Sequence, residues 1–238
     1  MVGNDVVDLS DPESARGAHH WRFDRRVFTP DELESLSIER EDVDPRWILW
    51  SAKEAAYKAA RRERADSVFS PRRFVVRLDR SLCGSVEDGL RSWPVRVRML
   101  GDCVHAVVSA GDPSVDTFAE TAHLDDAELR DPSLGVRRFA IDSIAERLGI
   151  SPSDLRIERE NRIPALVVAG ELTPRPLSLS HHGRFVGFAC SALPTHLALR
   201  RSTSIASGRS TWAAPHPLED GACPNLVSRP GAWRSVLS

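Results

Sequence analysis

Short runs of alternating apolar and polar residues alternate along this chain with two long stretches of helical spacing. Val2 to Val7 is nearly continuous apolar sequence and predicts a short buried strand at the N-terminus. Alternation puts Gly3, Asp5 and Val7 on one face and Asn4, Val6 and Asp8 on the other. Asp5 therefore sits in apolar company, where an unpaired carboxylate is costly and a cation is wanted; Asp8 is read as the turn residue that ends the strand. Thr29-Pro30-Asp31-Glu32 is a capping box with proline at the first helical position, opening a short helix through Leu33 and Leu36. Pro45 to Arg64 is the strongest helical segment: alanines at 52, 55, 56, 59 and 60 favour helix and close packing, and Trp47 and Trp50 supply bulky anchors. Phe74 to Leu78 reads as a strand. Val95 to Met99 alternates, turns at Gly101-Asp102 and returns through Cys103 to Ala110 as a β-hairpin.

Beyond the hairpin the periodicity fades, and Gly, Pro, Ser and acids over residues 111–130 suggest a connection between lobes. Helical spacing resumes from Pro132 to Leu148, and Ser151-Pro152-Ser153-Asp154 caps a short turn. Strands are expected at Leu155 to Ile157, Leu166 to Val168, Leu177 to Ser180 and Phe185 to Ser191. The run from Gly101 to Ala110 is echoed from Gly183 to Ala192. The expected fold is thus α+β, two similar lobes that form a pseudo-dimer, each a small antiparallel sheet packed with a long helix. The lobes are expected over residues 1–112 and 131–200, with a linker at 113–130. The Ser-, Pro- and Gly-rich tail at 201–238 is expected to be disordered.

Composition changes this picture little. An apolar fraction of 41% against 28% charged is ordinary for a globular chain, and a formal charge of −2 gives no global reason for nucleic-acid binding. Arg61, Arg62, Arg64, Arg72 and Arg73 form at most a local basic patch, read as a solvated face. Cys83, Cys103, Cys190 and Cys223 lack disulfide or zinc spacing and are read as free thiols in a reducing compartment. No apolar run approaches the length of a membrane span and the N-terminus has no leader pattern, so a soluble cytoplasmic protein is expected. His19 and His20 lack ligand spacing and are read as surface residues.

The candidate chemistry lies first in Trp50 to Lys58, which holds the only two lysines of the chain, Lys53 and Lys58, among 32 basic residues. A lysine ammonium is a compact charge with a tunable pKa, which matters at a reacting phosphate and little on a solvated face. Glu54 and Lys58, spaced i and i+4, also fit an exposed helical ion pair worth ~0.3–0.5 kcal/mol. Two further stretches carry reactive side chains: Gly3-Asn4-Asp5, and Ser178-Leu179-Ser180-His181-His182-Gly183-Arg184.

Together these three resemble the 4'-phosphopantetheinyl transferases, whose helix motif is matched here at Trp50, Ser51, Lys53, Glu54, Ala55 and Lys58. The resemblance covers about residues 1 to 195. The order of parts, with the Gly-x-Asp strand first and the Ser-His segment last, is similar to a circular permutation of the surfactin-type branch and to the motif order of the holo-acyl-carrier-protein synthase branch. The resemblance implies transfer of the 4'-phosphopantetheine arm of coenzyme A to a serine of an apo acyl or peptidyl carrier protein, in fatty-acid, polyketide or nonribosomal-peptide synthesis, releasing 3',5'-ADP. It implies Mg²⁺ held by Asp5 and Glu54, with Glu54 as base, Lys58 on the leaving phosphate and Lys53 in support. It also implies a 3'-phosphate site at Ser180 and His181, assisted by Arg137 or Arg138. Two positions depart from the pattern: Val7 stands where the surfactin-type branch has a further carboxylate, and Arg162-Ile163-Pro164 stands where the family has Gly-Lys-Pro. They motivate an alternative, a non-catalytic member that binds coenzyme A or a carrier protein. A pseudo-dimer completes its own site, so a monomer is expected, with no membrane or nucleic-acid partner.

Overall fold

The computed structural model describes residues 1–15, 17–18, 22–36, 44–109, 117–168 and 175–191. The tail expected at 201–238, the two histidines at 19 and 20 and part of the expected linker lie outside the described residues. Two five-stranded antiparallel sheets are built from β1 (Val2–Asp8), β2 (Val75–Leu78), β3 (Cys83–Glu87), β4 (Ser92–Leu100), β5 (Cys103–Ser109), β6 (Thr117–His123), β7 (Leu155–Glu160), β8 (Ile163–Val168), β9 (Arg175–His182) and β10 (Phe185–Ser191). Their orders are β1-β5-β4-β3-β2 and β6-β10-β9-β8-β7. Each strand of the first sheet thus has a counterpart in the second, and the α+β fold of two similar lobes stands.

The registers fix which residues correspond. Asp5 faces Ala106 across β1 and β5, and Glu120 faces Phe188 across β6 and β10. Ala106 in turn faces Val97 of β4, and Phe188 faces Leu179 of β9. Both central hairpins turn on a glycine of positive φ, Gly101 at 59° and Gly183 at 52°. A left-handed residue matches the twist of a two-residue hairpin, which is why glycine stands at both turns. The bond from Leu9 N–H to the Asp102 carbonyl recurs from Leu124 to Arg184, each at 2.8 Å.

Each lobe packs one long helix on its sheet. Between β1 and β2 run the short helices α1 (Arg22–Val27) and α2 (Pro30–Leu36) and the long α3 (Pro45–Glu63), capped by Asp44. The alanine face of α3 buries Ala52, Ala55, Ala56, Ala59 and Ala60 completely against Val76, Val86, Val97 and Val104. Its second lobe counterpart, α4 (Pro132–Leu148), ends in a left-handed Gly149 and packs Ala140, Ile144 and Ala145 on Leu166, Leu177 and Phe188. The smallness of the α3 alanines lets that helix lie flat on β1. At Gly3 a Cβ would collide with the Ala55 carbonyl oxygen, so only glycine fits beneath the helix.

The connection read over 113–130 is corrected by β6, which occupies Thr117–His123 and pairs along its length with β10. Its small and polar residues hide the strand because one face is only part-buried. The alternation rule also missed β3, whose Gly84 sits under the Arg77 carbonyl and weakens the pattern. Asp8, read as a turn residue, is the buried last residue of β1 and pairs with Arg184 of the other lobe at 2.8 Å.

The basic cluster is not a free patch. Arg62 crosses the seam between lobes, its guanidinium donating to the carbonyls of Val2, Pro164 and Leu177, and burial lowers its pKa to about 10. Arg64 pairs with Asp88, and Arg73 donates to the Asp88 carbonyl at 2.9 Å.

Candidate active site

The edge of the first sheet and the Ser-His strand of the second meet at the seam. In an antiparallel edge strand every second N–H points away from its neighbour and needs another acceptor. The N–H groups of Asn4, Val6 and Asp8 find theirs on alternate side chains of β9: Ser178 Oγ at 2.9 Å, Ser180 Oγ at 3.2 Å and His182 Nδ1 at 3.1 Å. This ladder fixes β1 beside β9 and sets Asp5 against the helix.

Lys58, Asp5 and Ser180 form a closed triangle. Lys58 Nζ donates to Asp5 Oδ1 at 2.8 Å, to Ser180 Oγ at 3.1 Å and to the Asn4 carbonyl at 3.0 Å. Ser180 Oγ donates to Asp5 Oδ1 at 2.8 Å and accepts from Lys58 and Val6. All three ammonium protons and all three hydroxyl positions are in use. Lys58 therefore pairs with Asp5 of the strand rather than with Glu54 on its own helix.

Glu54 has no hydrogen bond or ion pair among the described residues. Burial, and then the charge of Asp5, push its carboxyl up to about 7, with Lys58 opposing. A part-buried carboxylate without a partner among the described residues, beside a second carboxylate, is a place where a cation would relieve both desolvation and repulsion. The donor set is all oxygen, which suits a hard ion such as Mg²⁺. The residues expected to hold the ion thus fit it. Val7 is 2% exposed in the core of the first lobe and offers no third carboxylate. A different group, Asp11, Glu13 and His182, has ligand atoms within 4.8 Å of one another and includes neither Asp5 nor Glu54.

Four residues singled out from sequence lie elsewhere or are differently engaged. Lys53 is fully buried, its ammonium bonded to Glu32 at 2.8 Å and to the carbonyls of Pro71 and Phe74, inside the first lobe and away from Asp5. Glu32 is held in turn by Val76 N–H and by the capping box with Thr29. The correction has a plain cause: five residues along a helix of 3.6 per turn place Lys53 and Lys58 ~140° apart, so both cannot face one site. Arg137 donates to Ser133 of its own helix at 2.7 Å, and Arg138 lines a depression with Glu128 and Asp142. Ser180 is committed to the triangle. His181 is exposed, has no hydrogen bond among the described residues, and has its pKa lowered by partial burial and by Lys58 and His182. Arg184, which closes the Ser-His stretch and received no role from sequence, donates from side chain and backbone to the Asp8 carboxylate and ties the second lobe's hairpin to the first.

What these elements define is a twin-lobed α+β protein with a carboxylate-lysine-serine site at the seam of its lobes. Residues 1–108, the lobe that carries Asp5, Glu54 and Lys58, match the family model of the 4'-phosphopantetheinyl transferase superfamily. No curated protein and no solved structure gives a significant match. No described helix is long and apolar enough to cross a membrane.

Proposed function

We propose that the protein transfers the 4'-phosphopantetheine arm of coenzyme A to the serine of an apo acyl or peptidyl carrier protein. The observation that carries this reading is the convergence, at one seam, of the unpaired Glu54 carboxyl with Asp5 and Lys58. Asp5 and Glu54 would hold Mg²⁺, whose chemistry when bound is to neutralise charge on a pyrophosphate. The carrier serine hydroxyl attacks the phosphorus that bears the pantetheine arm; a new P–O bond forms and the bond to the departing 3',5'-ADP breaks. Glu54 is the base that takes the hydroxyl proton. Lys58 exchanges one of its three hydrogen bonds for an oxygen of the leaving phosphate. Ser180 holds Lys58 and Asp5 in place, and His181, the exposed neighbour, meets the 3'-phosphate of the coenzyme. Both halves of the site come from one chain, which makes a second copy unnecessary. The reducing compartment inferred from the thiols suits a cytoplasmic enzyme; Cys83, Cys103 and Cys190 are free.

Incubation with coenzyme A, Mg²⁺ and a panel of apo carrier proteins tests this. A mass gain of one phosphopantetheine arm is expected, lost in Glu54→Gln, and His181→Ala is expected to weaken coenzyme binding. The alternative, a non-catalytic binder, is favoured by Val7 in the core and by Ile163 at the family's lysine position. Tight coenzyme binding with no mass gain across the panel would decide for it.

A further inference from the structure

The two lobes correspond strand for strand, yet they do not meet symmetrically. On one side β1 packs along β9 and β10; on the other, β6 meets β5 only near its start, where Ala119 joins Val107, and stands off from β4. The gap is a cleft of about 180 Å³ lined on one wall by Arg98 and His105, on another by Glu120, Thr121 and His123, and closed by Phe139 and Phe185. By the registers given above, Glu120 occupies the place of Asp5, Arg98 that of Ser180 and Leu100 that of His182. The cleft is the pseudo-symmetric mate of the candidate active site.

Three differences set it apart. Phe118 stands where Gly3 stands, and a ring set edge-to-face on Phe188 at 5.4 Å cannot sit under a helix backbone as Gly3 does. The helix α4 accordingly rests on β7, β9 and β10 rather than on β6. Next, the β9 acceptors Ser178, Ser180 and His182 are replaced by Arg96, Arg98 and Leu100, none of which accepts a hydrogen bond. Because Leu124 N–H bonds inward to Arg184, alternation turns the N–H groups of Thr121 and His123 outward, as in Val6 and Asp8. Neither has an acceptor among the described residues. Last, Arg98 has no hydrogen bond or ion pair among the described residues, and burial followed by Arg96 lowers its pKa, as for a cation without a counter-ion.

We infer that this cleft is a second binding site, for a small amphipathic monocarboxylate. The carboxylate lies between the Arg98 guanidinium and the outward N–H groups of Thr121 and His123, replacing the acceptors the first seam supplies from its own serines. The apolar body rests on Leu100, Phe139 and Phe185. Glu120 and Glu146 on the α4 side repel a second negative charge, which disfavours phosphate esters and diphosphates. The volume is below the ~300–1,000 Å³ of pockets for drug-sized ligands, which limits the body to a short chain. This inference is independent of the transfer reaction, since none of these residues belongs to the seam site.

Titration of the full chain with octanoate, followed by calorimetry and by amide NMR, tests it. One equivalent binds, the amides of Thr121 and His123 shift, and Arg98→Gln weakens binding at least 10-fold with circular dichroism unchanged. Asp5→Asn leaves octanoate affinity unaltered. Should Arg98→Gln unfold, the Thr121 and His123 shifts in the wild type decide alone. Absence of saturable binding, binding unaffected by Arg98→Gln, shifts confined to other amides, or Arg98-dependent binding of inorganic phosphate in preference to octanoate would each overturn the proposal.

Discussion

The hydroxyl of Ser180 donates to Asp5 Oδ1 at 2.8 Å across the seam between lobes, while accepting from Lys58 at 3.1 Å and from Val6 N–H at 3.2 Å. A single hydroxyl thereby joins the acid, the lysine and the backbone of the strand that carries the acid. Removing it orphans a buried N–H and loosens both charged groups. Ser180→Ala is expected to lower stability by ~1–3 kcal/mol in urea unfolding. Phosphopantetheine transfer should fall with it, and Ser180→Thr should restore part of both.

The two lysines have separable roles. Lys53→Met leaves Glu32 as an unpaired buried carboxylate and is expected to destabilise by ~3–5 kcal/mol, while the fraction that remains folded still transfers. Lys58→Met should do the reverse, with a small change in melting temperature and loss of transfer. Paired measurements of unfolding and of carrier mass gain check the split; equal loss of activity per folded molecule in both variants would assign Lys53 to the chemistry.

Glu54 makes the metal-free protein less stable as pH rises. Its carboxyl is raised from 4.5 to about 7 in the fold, so between those values the unfolded chain has lost a proton that the folded chain keeps. Stability therefore falls through this window, by at most ~1.4 kcal/mol per pH unit, and levels off above it. Glu54→Gln removes the fall. Adding Mg²⁺ at pH 8 should raise the melting temperature of the wild type and leave that of the variant unchanged.

His105 acts in the opposite direction. Burial, with Arg98 and Lys58, lowers it from 6.5 to about 3, so below pH 6.5 the unfolded chain takes a proton that the folded chain refuses. Its contribution to stability drops as pH falls from 6.5 to about 3. At Asp8 burial alone would raise the pKa, but the side chain and backbone of Arg184 and the Ser10 N–H together bring it to about 2. That stability is complete above 3.8 and is lost as pH falls through 2. The difference in unfolding free energy between wild type and His105→Gln should trace the first window, and that between wild type and Asp8→Asn the second.

Local periodicity alone reached the strand at Val2, the alanine helix α3, the central hairpin and the span of α4, because each is specified by residues near one another in the chain. It also reached the resemblance of the Trp50 to Lys58 helix, and the echo of Gly101 in Gly183. The strands β3 and β6 escaped: small and polar residues at half-buried edges carry little alternation, and their pairing partners supply the order.

The residues of the site were legible one by one, but their assignments were settled at long range. Helical geometry already contained the separation of Lys53 from Lys58; that Lys53 meets Glu32 depended on how α2 packs on α3. Asp8 and Arg184, 176 residues apart, meet only when the lobes close. The sequence by itself determined which side chains could carry charge and which elements would present them. Only the tertiary structure decided that Glu54 finds no partner among the described residues and that serines seal one seam and not the other, because a partner across the seam is chosen by packing rather than by position in the chain.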